Sequence, residues 1–168
     1  MDILLVRHAI AVERGSKGYD DDALRPLTPA GRQRMLEAAR GLERIYTPQA
    51  IFTSPLVRAV QTAEILQSVY HLGKPRVCDA LGTGDHLSLI AALEESDVGS
   101  VALVGHEPWM SELLSLLLTG YVSTVSANFK KGACALVRCD DLRPGNCWLE
   151  WHIQPAALRR MAHASTGS

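Results

Sequence analysis

Short apolar runs alternate along the chain with longer stretches of helical spacing. Ile3-Leu4-Leu5-Val6 is continuously apolar, the pattern of a strand buried on both faces of a parallel sheet. Ser100–Val104 repeats that pattern, Ala50–Thr53 gives a shorter version, and Arg76-Val77-Cys78 suggests a third short strand. Thr28-Pro29 predicts a helix start, with Thr as N-cap and Pro at the first helical position. Met35, Leu36, Ala39, Leu42 and Tyr46 follow at roughly helical spacing. Ser54-Pro55 repeats the cap-and-proline signal for a helix to about Tyr70, with Leu56, Val60, Ala63 and Leu66 on one buried face. Gly82-x-Gly84 breaks the chain before a helix at Leu87–Leu93, and a Leu-rich helix spans Pro108–Leu118. Ala133–Cys139 and Trp148–Ile153 read as strands of a hairpin turning at Arg143-Pro144-Gly145-Asn146. Pro155–Ala162 is a last helix, and Ser165–Ser168 a loose end.

Strand–helix alternation predicts an α/β fold: a three-layer α/β/α sandwich around a mostly parallel, mixed sheet. A chain of 168 residues suits a single domain, expected over residues 1–163 with a tail at 164–168. There is no internal repeat and no linker. The polar segment Glu13–Arg25, with Gly15, Gly18 and Asp20-Asp21-Asp22, reads as an exposed loop of a length that is more often functional than idle.

Apolar residues are 47% and charged residues 21%, which excludes a disordered or low-complexity chain. Lys and Arg number 17 against 18 Asp and Glu, a net charge of −1. No global positive field draws such a chain onto nucleic acid or a membrane surface, although a local basic pocket remains open. Met1-Asp2-Ile3 opens with an acid and the apolar run stops at Arg7, short of the ~7–15 apolar residues of a signal peptide. No stretch reaches the ~18 apolar residues of a membrane span. Cys78, Cys134, Cys139 and Cys147 include no C-x-x-C pair. The expectation is therefore a cytoplasmic protein with reduced, free thiols. A monomer without a cofactor is expected as well.

Two strands end in histidine, Leu4-Leu5-Val6-Arg7-His8 and Leu103-Val104-Gly105-His106. Ligands of open α/β sheets bind at the carboxyl ends of strands, so the two endings converge if the strands are neighbours. A lone histidine is usually a core or surface residue; two in matching contexts, one preceded by Arg7, point to chemistry. His71, His86, His152 and His163 lack that context and read as structural or solvated. In Thr53-Ser54-Pro55-Leu56-Val57-Arg58-Ala59-Val60-Gln61-Thr62-Ala63, Arg58 falls in the first turn of a helix that follows a strand, within reach of the same rim. Two arginines and two histidines at strand ends describe a phosphate site. Guanidinium forks match a phosphoryl dianion. A neutral imidazole can attack phosphorus, and a second, protonated one can stabilise the equatorial oxygens.

These motifs, L-V-R-H, T-S-P-L-x-R-A-x-Q-T-A and a late strand ending G-H, resemble the histidine phosphatase (phosphoglycerate mutase-like) superfamily, in its order, from Leu4 to about Leu118. The resemblance implies that His8 is the nucleophile and becomes a phosphohistidine. It implies that Arg7, Arg58 and His106 bind the phosphoryl group, and that the reaction needs no metal. The small size and Arg25-Pro26-Leu27-Thr28 resemble the SixA-type phosphohistidine phosphatases, whose partners are phosphohistidine-bearing proteins of signalling or phosphotransfer. Phosphoglycerate mutases are longer, with an insertion after the second arginine motif, where this chain has only Ala59–Gly105.

Other assignments stay open in the sequence. Glu107 stands where a proton donor is found in the acid-phosphatase branch, or it is a helix-start glutamate favoured by the macrodipole. Asp85 and Asp79 are weaker candidates for that donor. Arg25 either swings over the site as a third cation or pairs with Asp20–Asp22. That acidic run reads as solvated, since a calcium loop wants alternating ligands and a closing Glu. Three functions follow: a protein phosphohistidine phosphatase, a broad phosphomonoesterase acting on small phosphate esters, or a non-catalytic phosphate-binding module.

Overall fold

The structure is a computed structural model that describes residues 1–164. The loose end expected at Ser165–Ser168 lies outside them. In chain order the elements are β1 (Asp2–Arg7), α1 (Pro29–Glu43), β2 (Ala50–Thr53), α2 (Val57–Tyr70), β3 (Arg76–Val77), α3 (Ala80–Thr83) and α4 (His86–Glu94). β4 (Ser100–Gly105), α5 (Trp109–Thr119), β5 (Cys134–Cys139), β6 (Cys147–Ile153) and α6 (Pro155–His163) complete the fold. The six strands form one sheet in the order β3-β2-β4-β1-β5-β6. β3, β2, β4 and β1 run parallel, and on the far side of β1 only β5 runs against them, pairing antiparallel with both β1 and β6. The sheet is mixed because β5 lies antiparallel between β1 and β6, a hairpin returning the chain from β5 to β6, while the parallel strands β1, β2, β3 and β4 are joined by helical crossovers.

β1 is central, and this explains its unbroken apolar run. Ile3 and Leu5 face a core shared with Leu81 of α3, Leu89 of α4 and Leu113 of α5. Leu4 and Val6 face the opposite core, with Met35 and Leu42 of α1, Ala63 and Leu66 of α2, and Leu158 of α6. Burying each such side chain stabilises the fold by roughly 1.5–3 kcal/mol. The layers are thus α1, α2 and α6 on one face and α3, α4 and α5 on the other. α1 and α6 approach backbone to backbone at Gly41, where a Cβ would stand 1.9 Å from the Leu158 carbonyl oxygen. Only glycine permits that contact.

The helix signals divide. Thr28 caps α1 as expected, its hydroxyl accepting from Gly31 N at 2.9 Å, with Pro29 in the first turn. Ser54-Pro55 is not a cap. α2 starts at Val57 after Leu56, and the Ser54 hydroxyl accepts from Leu56 N in the preceding turn. The free thiols are also corrected in part. Cys78 and Cys134 are free, but Cys139 and Cys147 form a disulfide, since the hairpin register sets them opposite each other with Cα atoms 4.3 Å apart. Among the described residues, no helix is long and apolar enough to cross a membrane.

Candidate active site

The β1–β4 register brings the two histidines together. Arg7 lies opposite Gly105, and His8 N donates to the Gly105 carbonyl at 2.8 Å, so His8 and His106 leave adjacent strands at one level. β2 ends at the same rim, with Ser54 N donating to the Val104 carbonyl at 3.0 Å. α2 starts three residues on, which places Arg58 in its first turn. On the other side of β1, Gly132 N donates to the carbonyls of both Arg7 and His8.

The second motif has a structural reason beyond its arginine. Thr62, one helical turn after Arg58, donates its hydroxyl to the Arg58 carbonyl at 2.7 Å. The same hydroxyl oxygen accepts from Ala9 N at 3.0 Å, tying α2 to the residue that follows His8. Gln61 accepts from Leu27 N at 2.8 Å and so anchors the loop carrying Arg25. Gly31 lets the start of α1 reach the same segment, because a Cβ there would stand 2.0 Å from the Ile10 carbonyl oxygen.

His8 is 5% exposed, and its Nδ1 lies 2.7 Å from the Ala9 carbonyl oxygen. A carbonyl only accepts, so Nδ1 carries the proton and the neutral ring presents the Nε2 lone pair. Burial is the main force that pushes the His8 pKa down, to about 3. The Ala9 hydrogen bond opposes the shift, and the positive charges of Arg58 and Arg7 add to it, as does His106. The ring is therefore neutral at pH 7, as a nucleophile must be. His106 is shifted in the same direction, by burial first and then by Arg58, while the Glu107 backbone and the Asp22 carboxylate push the other way.

Three donors or acceptors converge here without protein partners. Among the described residues, Arg7 Nε, Arg58 Nε and His106 Nε2 are buried and make no hydrogen bond, and the charges of all three side chains act on His8, whereas Tyr70 Oη, Arg138 Nε and His152 Nε2, likewise without a hydrogen bond, have no such link to it. Buried polar atoms are normally paired, so orphans in one place mark where an oxyanion fits. Arg7 is positioned by its Nη1, which donates to the Phe129 carbonyl at 2.5 Å.

Arg25 takes the second of its two roles. Its Nε donates to Asp22 Oδ1 at 2.9 Å and its Nη1 to the Val12 carbonyl, so it is not swung over the site as an unpaired cation. Asp22 in turn departs from the solvated run expected of it. Its Oδ1 also accepts from Arg14, while its Oδ2 and its carbonyl accept from Arg58. Partial burial opposes ionisation of Asp22, but Arg25, Arg14 and Arg58 together hold its pKa well below the usual carboxylate range. The run of three aspartates does not reveal which one closes onto the arginines.

Glu107 is half-buried beside a cavity it shares with Arg7, and its carboxylate accepts from Ser111 Oγ at 2.8 Å. Asp85 has a local task as N-cap of α4, accepting from Ser88 N at 3.1 Å. Asp79 precedes α3, its carbonyl accepting from Gly82 N. Among the described residues, no group of three or more His, Cys, Asp or Glu side chains is placed to hold a metal ion.

Neutral imidazole, guanidinium nitrogens and a second histidine gathered at adjacent strand ends form a centre suited to phosphoryl transfer. Comparison with known proteins agrees. Residues 3–81 match the histidine phosphatase superfamily (branch 1). An uncharacterized protein of Picosynechococcus sp. is 34% identical over 125 residues, covering 71% of this chain and 74% of that protein. The structure of the protein histidine phosphatase SixA complexed with tungstate superposes with a TM-score of 0.73 and 26% identity, covering 94% of this chain and 99% of that one. A mycobacterial glucosyl-3-phosphoglycerate phosphatase with inorganic phosphate gives 0.70 at 18% identity, over 92% and 98% of the two chains, a likeness of fold alone. The chain belongs to the histidine phosphatase superfamily and is a phosphatase with its phosphoglycerate mutase-like fold.

Proposed function

We propose that this phosphatase removes phosphate from phosphohistidine on a protein, through a covalent phosphoryl group on His8. The observation that carries the reading is the His8 ring, held by the Ala9 carbonyl with Nε2 free beside the unpartnered Arg7, Arg58 and His106 atoms. Nε2 attacks phosphorus, and a new P–N bond forms as the substrate's P–N bond breaks. The leaving imidazole departs neutral after taking up a proton. Arg7 and Arg58 hold the equatorial oxygens, where their charge is worth most in a water-poor site. A phosphoryl dianion against His106 favours its imidazolium form, which adds a third positive donor. Water then attacks phospho-His8, the P–N bond breaks, and phosphate leaves. Glu107, oriented by Ser111, takes the proton from that water. Arg25 supports the site through Asp22.

The phosphohistidine substrate is favoured by the likeness to SixA across nearly the whole length of both chains. A small phosphate ester is the second reading, favoured by the shared fold of the glucosyl-3-phosphoglycerate phosphatase. The test is phosphate release from a histidine-phosphorylated protein by wild type and His8→Ala. Wild type is expected to release phosphate, and the variant to lose at least 10³-fold, as expected for loss of a covalent nucleophile. Release by the variant at the wild-type rate overturns the mechanism. Turnover of sugar phosphates without release from the protein moves the substrate to small esters.

A further inference from the structure

A groove of about 570 Å³ opens directly beside the site, between α1 and α6, with Arg7, Ala9 and Ile10 at its inner end. Its rim carries Arg34, Lys130, Lys131 and Arg159, and among the described residues no carboxylate lines it. None of these four is in an ion pair among the described residues, whereas Arg14, Arg25, Arg58, Arg138 and Arg143 all are. Four cations without ion-pair partners thus stand together beside the Arg7 end of the site, in a chain whose net charge is only −1. Met35, Ala38, Pro155 and Ala156 supply apolar surface between those cations.

The lysines are held in place from two sides. Gln154 donates to the Asn128 carbonyl at 2.6 Å and accepts from Lys130 N at 3.4 Å. Gly132, the next residue after Lys131, is bonded to the carbonyls of Arg7 and His8. The loop that carries the charges is therefore fixed to the end of the nucleophile's own strand.

We propose that this groove docks an acidic surface of the phosphorylated protein, with apolar side chains against the floor and carboxylates along the rim. The inference rests on the phosphohistidine reading and deepens it. A small-ligand site encloses its ligand with a few polar groups fixed in place. Here Arg34, Lys130 and Lys131 are exposed, and the groove follows α1 from Gly31 to Ala38, about 10 Å at 1.5 Å per residue. Apolar surface ringed by solvated charge is the make-up of a protein interface, and exposed cations act on encounter rate and on partner choice.

The experiment compares wild type with the double variant Lys130→Glu/Lys131→Glu and with Arg34→Glu, all exposed positions outside the catalytic machinery. One substrate is a histidine-phosphotransfer domain phosphorylated with phosphoramidate; the other is p-nitrophenyl phosphate. At low ionic strength, kcat/KM on the phosphodomain is expected to fall at least tenfold, with a flatter salt dependence. Hydrolysis of p-nitrophenyl phosphate is expected to stay within twofold. Equal losses on both substrates place the cations in the catalytic centre and overturn docking, and so does no loss on either. Loss confined to p-nitrophenyl phosphate assigns the groove to small esters and overturns it too. If wild type hydrolyses p-nitrophenyl phosphate but never the phosphodomain, the phosphohistidine reading itself has failed, and the docking of such a protein falls with it.

Discussion

Arg58 gives both of its outer nitrogens to Asp22, Nη1 to the carbonyl at 2.7 Å and Nη2 to the carboxylate at 2.9 Å. Arg58 is 4% exposed and Arg25, on the same carboxylate, 8%. One loop carboxylate therefore neutralises two buried cations at the edge of the phosphate site. Asp22→Ala removes that counter-charge, and we expect a stability loss of about 1–3 kcal/mol. Inorganic phosphate should restore more stability to the variant than it adds to wild type, because it meets two unneutralised guanidinium groups. Thermal unfolding with and without phosphate measures this; an equal shift in both proteins counts against it.

The depressed pKa of His8 makes stability depend on pH. Below about pH 6.5 the unfolded chain binds a proton that the folded His8 refuses until about pH 3. Stability is thus expected to fall as pH drops through that window, by at most roughly 1.4 kcal/mol per unit for this proton, and to be independent of His8 above it. His8→Asn should flatten the dependence. Unfolding midpoints measured between pH 4 and pH 7 give the comparison, and parallel curves for the two proteins would contradict the assignment.

Glu107 should matter according to the leaving group. An alkoxide must be protonated as it departs, whereas an imidazole already protonated on its other nitrogen leaves unaided. Glu107→Gln is expected to slow phosphoryl transfer to His8 about 10²–10³-fold from an alkyl phosphate ester and by less than about tenfold from phosphohistidine, while the shared hydrolysis of phospho-His8 slows alike with both. Single-turnover release of the leaving group from the two substrates decides it, and equal effects on that step would remove Glu107 from protonating the leaving group.

The disulfide lies away from the chemistry. Cys139 is at the end of β5 that pairs with the start of β1, its carbonyl accepting from the Met1 amino group, whereas His8 follows the other end of β1. Reduction should lower stability by about 2–3 kcal/mol, as expected for a short closed loop. It should leave kcat unchanged at temperatures where the fold persists. Activity assays and melting curves with and without dithiothreitol separate the two effects.

Much of the fold was legible wherever burial on one or both faces leaves a periodic trace. β1, β2 and the end of α2 fall where the apolar patterns predict them. α3 has only four residues, too few for any helical period to be read. Ser54-Pro55 carries the chemistry of a helix start, yet the chain needs one more turn there to leave the sheet before α2 begins. His8, Arg7, Arg58 and His106 come together because the strands they end, or follow, are neighbours. Asp22 and the Cys139–Cys147 bridge were missed for a common reason. Each depends on a partner chosen by tertiary closure, the arginines for one and the hairpin register for the other, and neither spacing announces it.

The position of β1 has a consequence for the order of events in the life of the chain. The strand that leads into His8 is made before both of its hydrogen-bonded partners, β4 and β5, which lie from residue 100 onward. The chain must be made through Gly105 before β1 has a neighbour on one side, and through Cys139 before it has one on both. Pairings this remote in sequence are slow to form, because the intervening chain must be closed first. Catalytic competence is thus a late property of this molecule, acquired when its first strand is taken into the middle of the sheet.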